Sequence, residues 1–86
     1  MHTLLKYIIT PPIADAALAS RLVWLYIAAQ GEEEYASREL AHTLYLEPKT
    51  VQLALKYLRA QGLIEVVLEG SGQRASRLRA IYPPLE

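Results

Sequence analysis

The sequence predicts a mainly helical α+β fold, in which three core helices are followed by a two-stranded β hairpin and preceded by an extended N-terminal arm. Three observations predict it. Apolar residues recur at three- and four-residue steps between about positions 14 and 61. After Gly62 the period falls to two. The breaks between these stretches carry Pro11-Pro12, Gly31, Pro48, Gly62, Gly70, Gly72 and Pro83-Pro84. With 86 residues, 52% of them apolar, the chain is expected to be one domain with a single core of just sufficient size. We divide it into an arm over 1–13, a domain over 14–82 and a tail over 83–86.

The arm, Thr3 to Thr10, is rich in β-branched and aromatic residues, and Pro11 forces Thr10 into an extended conformation, so a strand or extended segment is expected. The first core helix is expected over about Ala14–Gln30. Leu18, Leu22, Leu25 and Ala29 form its stripe, widened by Val23, Trp24, Tyr26 and Ile27, with Asp15 in its first turn and Gly31 just past its end. Glu32-Glu33-Glu34 reads as a solvated linker. Ser37 is expected to cap a second helix through Leu44, with Leu40, Ala41 and Leu44 facing inward. After the turn Tyr45-Leu46-Glu47, Pro48 suits the first position of a third helix running to about Gln61. Val51, Ala54, Leu55 and Leu58 make its narrow apolar stripe, and Gly62 closes it. Ile64, Val66 and Leu68 then alternate with Glu65 and Val67 as a strand. Residues 69–73 form a hairpin loop. Arg74 to Tyr82 returns as the partner strand, with Leu78 and Ala80 inward and Arg77 and Arg79 outward.

Composition removes several classes of function. There is no cysteine, which excludes disulfides and thiolate metal sites, and His2 and His42 lie too far apart to suggest a zinc site. No metal and no cofactor are therefore expected. No apolar run reaches the roughly 20 residues of a membrane span, and the N-terminal residues lack the pattern of a signal peptide, so a cytoplasmic protein is expected. Neither a phosphate-binding glycine loop nor a nucleophile elbow occurs, so no enzyme activity is expected.

Net charge is zero, but it is unevenly distributed. From Leu46 to Tyr82 six basic residues (Lys49, Lys56, Arg59, Arg74, Arg77, Arg79) face three acids (Glu47, Glu65, Glu69). From Gly31 to Tyr45 four glutamates (Glu32, Glu33, Glu34, Glu39) face Arg38 alone. Such polarity orients a protein on a polyanion even when the total is neutral.

The run Ser37-Arg-Glu-Leu-Ala-His-Thr-Leu44, a three-residue turn, and Pro48-Lys-Thr-Val-Gln-Leu-Ala-Leu-Lys-Tyr-Leu-Arg-Ala-Gln-Gly-Leu-Ile64 resembles the winged helix-turn-helix superfamily of bacterial, plasmid and phage DNA-binding proteins. Small Ala41 at the helix crossing, the KTV…AL..L…GLI pattern and the glycine-bearing hairpin carry the resemblance, which spans about Ala14 to Tyr82. It departs from that pattern at Tyr45, where glycine is usual, and at Glu47, where a small polar cap is usual.

The resemblance implies a double-stranded DNA partner and a role as a transcriptional regulator, with the third helix reading the major groove. Carried over by position, the residues implied are Pro48, Lys49, Thr50, Gln52, Leu53 and Lys56 on that helix. Ser37 and Arg38 would meet phosphate at the start of the second helix, and Arg74, Arg77 and Arg79 would do so on the wing. Lys49 suits guanine or phosphate, Gln52 adenine, and Leu53 a thymine methyl. The alternatives are a plasmid or phage replication accessory and a protein-interaction winged helix docking on polymerase or another host factor. In the arm, Leu4, Leu5, Tyr7, Ile8 and Ile9 place apolar groups on both faces, so they are expected to form a homodimer interface. The competing expectation is that the arm packs on its own chain, beside Tyr35 or over the first helix.

Overall fold

The computed structural model describes residues 2–70 and 75–85. Helix α1 spans His2–Ile8, α2 Leu18–Gln30, α3 Ser37–Leu44 and α4 Pro48–Ala60. The strands are β1 (Glu33–Tyr35), β2 (Ile64–Leu68) and β3 (Ser76–Ala80). They form one antiparallel sheet in the order β1-β3-β2. The core lies between α2, α3 and α4 and the sheet, and is built from Val23, Trp24, Ile27, Leu40, Ala41, Val51, Ala54, Leu58, Leu63, Ile64 and Leu78.

The arm is a helix, not an extended segment. Leu4, Tyr7 and Ile8 recur at helical spacing and pack on the core, while Leu5 and Ile9, one turn apart, stay exposed. A tight aromatic junction overrides local β propensity: the Tyr7 ring lies 5.8 Å from Trp24 and 5.1 Å from Tyr82, with Trp24 and Tyr82 5.5 Å apart. The proline pair still ends the element, and a 3-10 turn at Ile13–Asp15 follows with Ile13 fully buried. The first core helix therefore starts at Leu18 rather than Ala14, and Asp15 lies outside it.

Helix α2 turns a different stripe inward from the one expected. Ser20, Val23, Trp24 and Ile27 are buried, whereas Leu18 and Leu22 are exposed. Its sequence is apolar nearly all round, so periodicity alone selects no face. The bulk of Trp24 and its hydrogen bonds select it. Trp24 Nε1 donates to the carbonyls of Leu63 (3.0 Å) and Ile81 (3.3 Å), tying α2 to the segments before β2 and after β3. The Ile81 amide also donates to Leu63, and the Tyr82 hydroxyl to the Ala28 carbonyl.

Two further expectations are corrected. The acidic stretch 32–34 is not simply a linker, because Glu33 and Glu34 enter β1 opposite Leu78 and Arg77, so the wing sheet has three strands. Local composition hides this strand, since its two glutamates are solvent-facing and only Tyr35 is buried. Ser37 is the first residue of α3 rather than its cap; Ala36 holds the cap position without a side-chain hydrogen bond.

Tyr35 fixes the end of α2 to the sheet. Its hydroxyl donates to the Gly31 carbonyl at 2.6 Å. Burial, then the nearby Glu33 carboxylate and Tyr26, raise its pKa above the ordinary 10.0. The fold thus favours the neutral phenol: this contribution is fully present below pH 10 and is lost as pH rises through the higher folded-state value. Melting temperature in Tyr35→Phe should consequently fall less steeply than in wild type as pH rises above 10; identical pH profiles would refute the assignment.

Helices α3 and α4 end alike. After α3, Tyr45 adopts the left-handed conformation (φ 56°, ψ 43°), and the Leu46 amide bonds back to the Ala41 carbonyl. After α4, Gly62 (φ 71°) and the Leu63 amide bonded to Leu58 repeat this arrangement. Gly62 adopts it without strain. Tyr45 does so at a cost on the order of 1 kcal/mol.

Candidate nucleic-acid interface

Helix α4 gives the site its frame. Val51, Ala54 and Leu58 are buried with Leu55 beside them, which turns Lys49, Gln52, Leu53 and Lys56 to solvent. Leu53 is 58% exposed. Thr50 is half-buried and Pro48 exposed at the first position of the helix. No acidic residue occurs between Pro48 and Ala60, and among the described residues neither Lys49 nor Lys56 forms an ion pair. The exposed face of α4 therefore carries no carboxylate of its own, although Glu47 is exposed at its N-cap and Glu39 and Glu69 lie beside it.

An open groove of about 930 Å³ runs between this face, the start of α3 and the sheet. It gathers Ser37, Arg38, Pro48, Gln52 and Lys56, five of the residues expected from the sequence, together with the carboxylates of Glu39 and Glu69, whereas Lys49, Thr50 and Leu53 do not line it. It also holds Arg59, which the sequence reading passed over although 52, 56 and 59 follow one helical stripe. Arg59 lies 3.5 Å from Glu69 with both side chains largely in solvent, so the pair holds it only loosely. The amides at the start of α3 have no side-chain cap and open beside Ser37 and Arg38.

The wing arginines are arranged differently from the expectation. Leu78 and Ser76 line the groove, so strand alternation puts Arg77 and Arg79 on the opposite face of the sheet. Both are engaged by the protein's own acids. Arg77 Nε donates to Glu32 at 2.7 Å, a bond that raises the guanidinium pKa further, and Arg79 pairs with Glu65 across the β2–β3 ladder. The sequence signal was ambiguous because outward arginines serve a sheet's own cross-strand pairs as readily as an external phosphate. A bulge between Val66 and Leu68 further breaks the alternation in β2 and leaves Leu68 exposed with Val67. Arg74 lies outside the described residues.

Two helices joined by a tight turn, with a small antiparallel sheet folded beside the second, define a winged helix-turn-helix domain. Among solved structures the chain is similar to a MarR family regulator from Neisseria meningitidis, with a TM-score of 0.63 and 24% sequence identity. The match covers 79% of this chain and 46% of that one, so the chain spans about half the length of that regulator. No protein-family model and no curated protein matches the sequence. No helix among the described residues is long and apolar enough to cross a membrane.

Proposed function

We propose that this chain is a non-catalytic, double-stranded DNA-binding domain of a transcriptional regulator, with α4 entering the major groove. One observation carries the reading: Lys49, Gln52, Leu53 and Lys56 lie exposed on a helix that carries no carboxylate of its own. Lys49 and Lys56 hold phosphate or guanine, Gln52 reads adenine, and Leu53 meets a thymine methyl, with Pro48 and Thr50 shaping the approach. Ser37, Arg38 and the uncapped amides of α3 take a phosphate across the groove. The wing contributes Arg74, whereas Arg77 and Arg79, paired with Glu32 and Glu65 on the sheet face turned away from the groove, do not.

The homodimer belongs to the same proposal in a narrower form. Leu4, Tyr7 and Ile8 are used in packing on their own chain, which leaves Leu5 and Ile9 to meet a second copy. Selection of bound duplexes from a random pool, followed by salt titration, tests both parts. An enriched palindrome with binding that weakens steeply with salt is the expected result. Enrichment of nothing would remove the DNA reading, and enrichment of single, unrepeated sites would remove the dimer. The exposed Leu53, Tyr57, Val67 and Leu68 favour the second reading, a winged helix that docks on another protein.

A further inference from the structure

The turn between α3 and α4 contains a residue that the fold does not explain. Tyr45 occupies a left-handed position that favours glycine, yet the residue is 95% exposed. Among the described residues its ring stacks on no other aromatic group and its hydroxyl forms no hydrogen bond. The other described positions with positive φ are glycines, Gly31 and Gly62. A strained position carrying a large, wholly solvated side chain points to use outside the fold.

We propose that Tyr45 contacts the DNA backbone, its phenol donating a hydrogen bond to a phosphate oxygen at the lip of the major groove. The inference rests on the DNA-binding reading above and adds a residue to that site. Tyr45 precedes Lys49 by four residues, and in helix-turn-helix docking the N-terminal end of the second helix enters the groove. The turn before that end therefore lies at the groove's edge, where tyrosine hydroxyls serve as phosphate donors. Leu46, the next residue, packs on the core and closes the α3 terminus through its amide, which fixes the turn from which Tyr45 projects. Glu47 on the other side is exposed and offers no donor, so the phenol is the turn's one side-chain donor.

A neutral donor leaves a signature that a lysine does not. Losing it weakens binding without reducing the counterions released, so the dependence on salt is unchanged. Tyr45→Phe and Tyr45→Gly are compared with wild type by melting, and by anisotropy titration of a selected duplex and a mixed-sequence duplex at several salt concentrations. Tyr45→Gly is expected to melt about 4–8 °C higher, because the strain is relieved. Both variants are expected to bind either duplex about five- to tenfold more weakly with the slope of log Kd against log salt preserved. Full affinity in both variants would overturn the role of Tyr45 while the DNA reading stands. A lower melting temperature for Tyr45→Gly would make the tyrosine structural and also overturn it. Failure of wild type to bind either duplex would sink the inference together with the reading beneath it.

Discussion

Trp24→Ala is expected to abolish cooperative folding at 37 °C or to lower the melting temperature by more than about 15 °C. Removing a buried tryptophan typically costs about 3–5 kcal/mol, and a small domain has only about 5–15 kcal/mol in total. Here the loss is at the high end, for three reasons. Trp24 is fully buried, its ring joins Tyr7 of α1 and Tyr82 of the C-terminal segment, and its Nε1 hydrogen bonds hold Leu63 and Ile81. The side chain thus joins four separate segments. Trp24→Phe separates the parts: it keeps an aromatic ring but removes the donor. Because Leu63 still accepts from the Ile81 amide, its cost is expected to be smaller, about 1–3 kcal/mol. Circular dichroism melts measure both variants, and Trp24 is the sole tryptophan, so its emission reports wild-type unfolding. An alanine variant melting within a few degrees of wild type would show that the junction does not hold the fold together.

The second large effect concerns binding. Lys49→Ala combined with Lys56→Ala is expected to weaken duplex affinity about 10–100-fold at low salt and to reduce the slope of log Kd against log salt by about two. Each lysine that neutralises a phosphate accounts for close to one unit of that slope. The two are separated by seven residues, hence by about two turns, and face the same side of α4. Stability is expected to change by less than about 0.5 kcal/mol, since both side chains are exposed and neither forms an ion pair among the described residues. Unchanged affinity and slope in a folded double variant would place the DNA face elsewhere.

What the sequence reveals depends on how local each determinant is. The α3–turn–α4 unit was legible almost residue by residue, because Ala41, Pro48, Val51, Leu58 and Gly62 act within one or two helical turns of their own positions. Even the anomaly at Tyr45 was visible, as a tyrosine where glycine is usual. The arm was misread because alternating and helical patterns overlap in LLKYII; contacts with Trp24 and Tyr82, far away in the sequence, make it a helix. The third strand was invisible for a similar reason. Glu33 and Glu34 oppose residues more than forty positions later, and only Tyr35 carries an apolar signal. Within the candidate site, Lys49, Gln52, Leu53 and Lys56, carried over from the resemblance, all lie exposed on α4. The sequence did not reveal that Glu32 and Glu65 engage Arg77 and Arg79, because those pairs exist only once the sheet has formed.

The docking face is tested most directly by titrating isotopically labelled protein with a selected duplex and following the backbone amide resonances by NMR. The largest shifts are expected at Ser37, Arg38, Lys49, Thr50, Gln52, Leu53 and Lys56, with Tyr45 among them and the amides of Glu32–Glu34 little affected. Shifts concentrated on α1, α2 or the acidic strand, with α4 unmoved, would contradict the account.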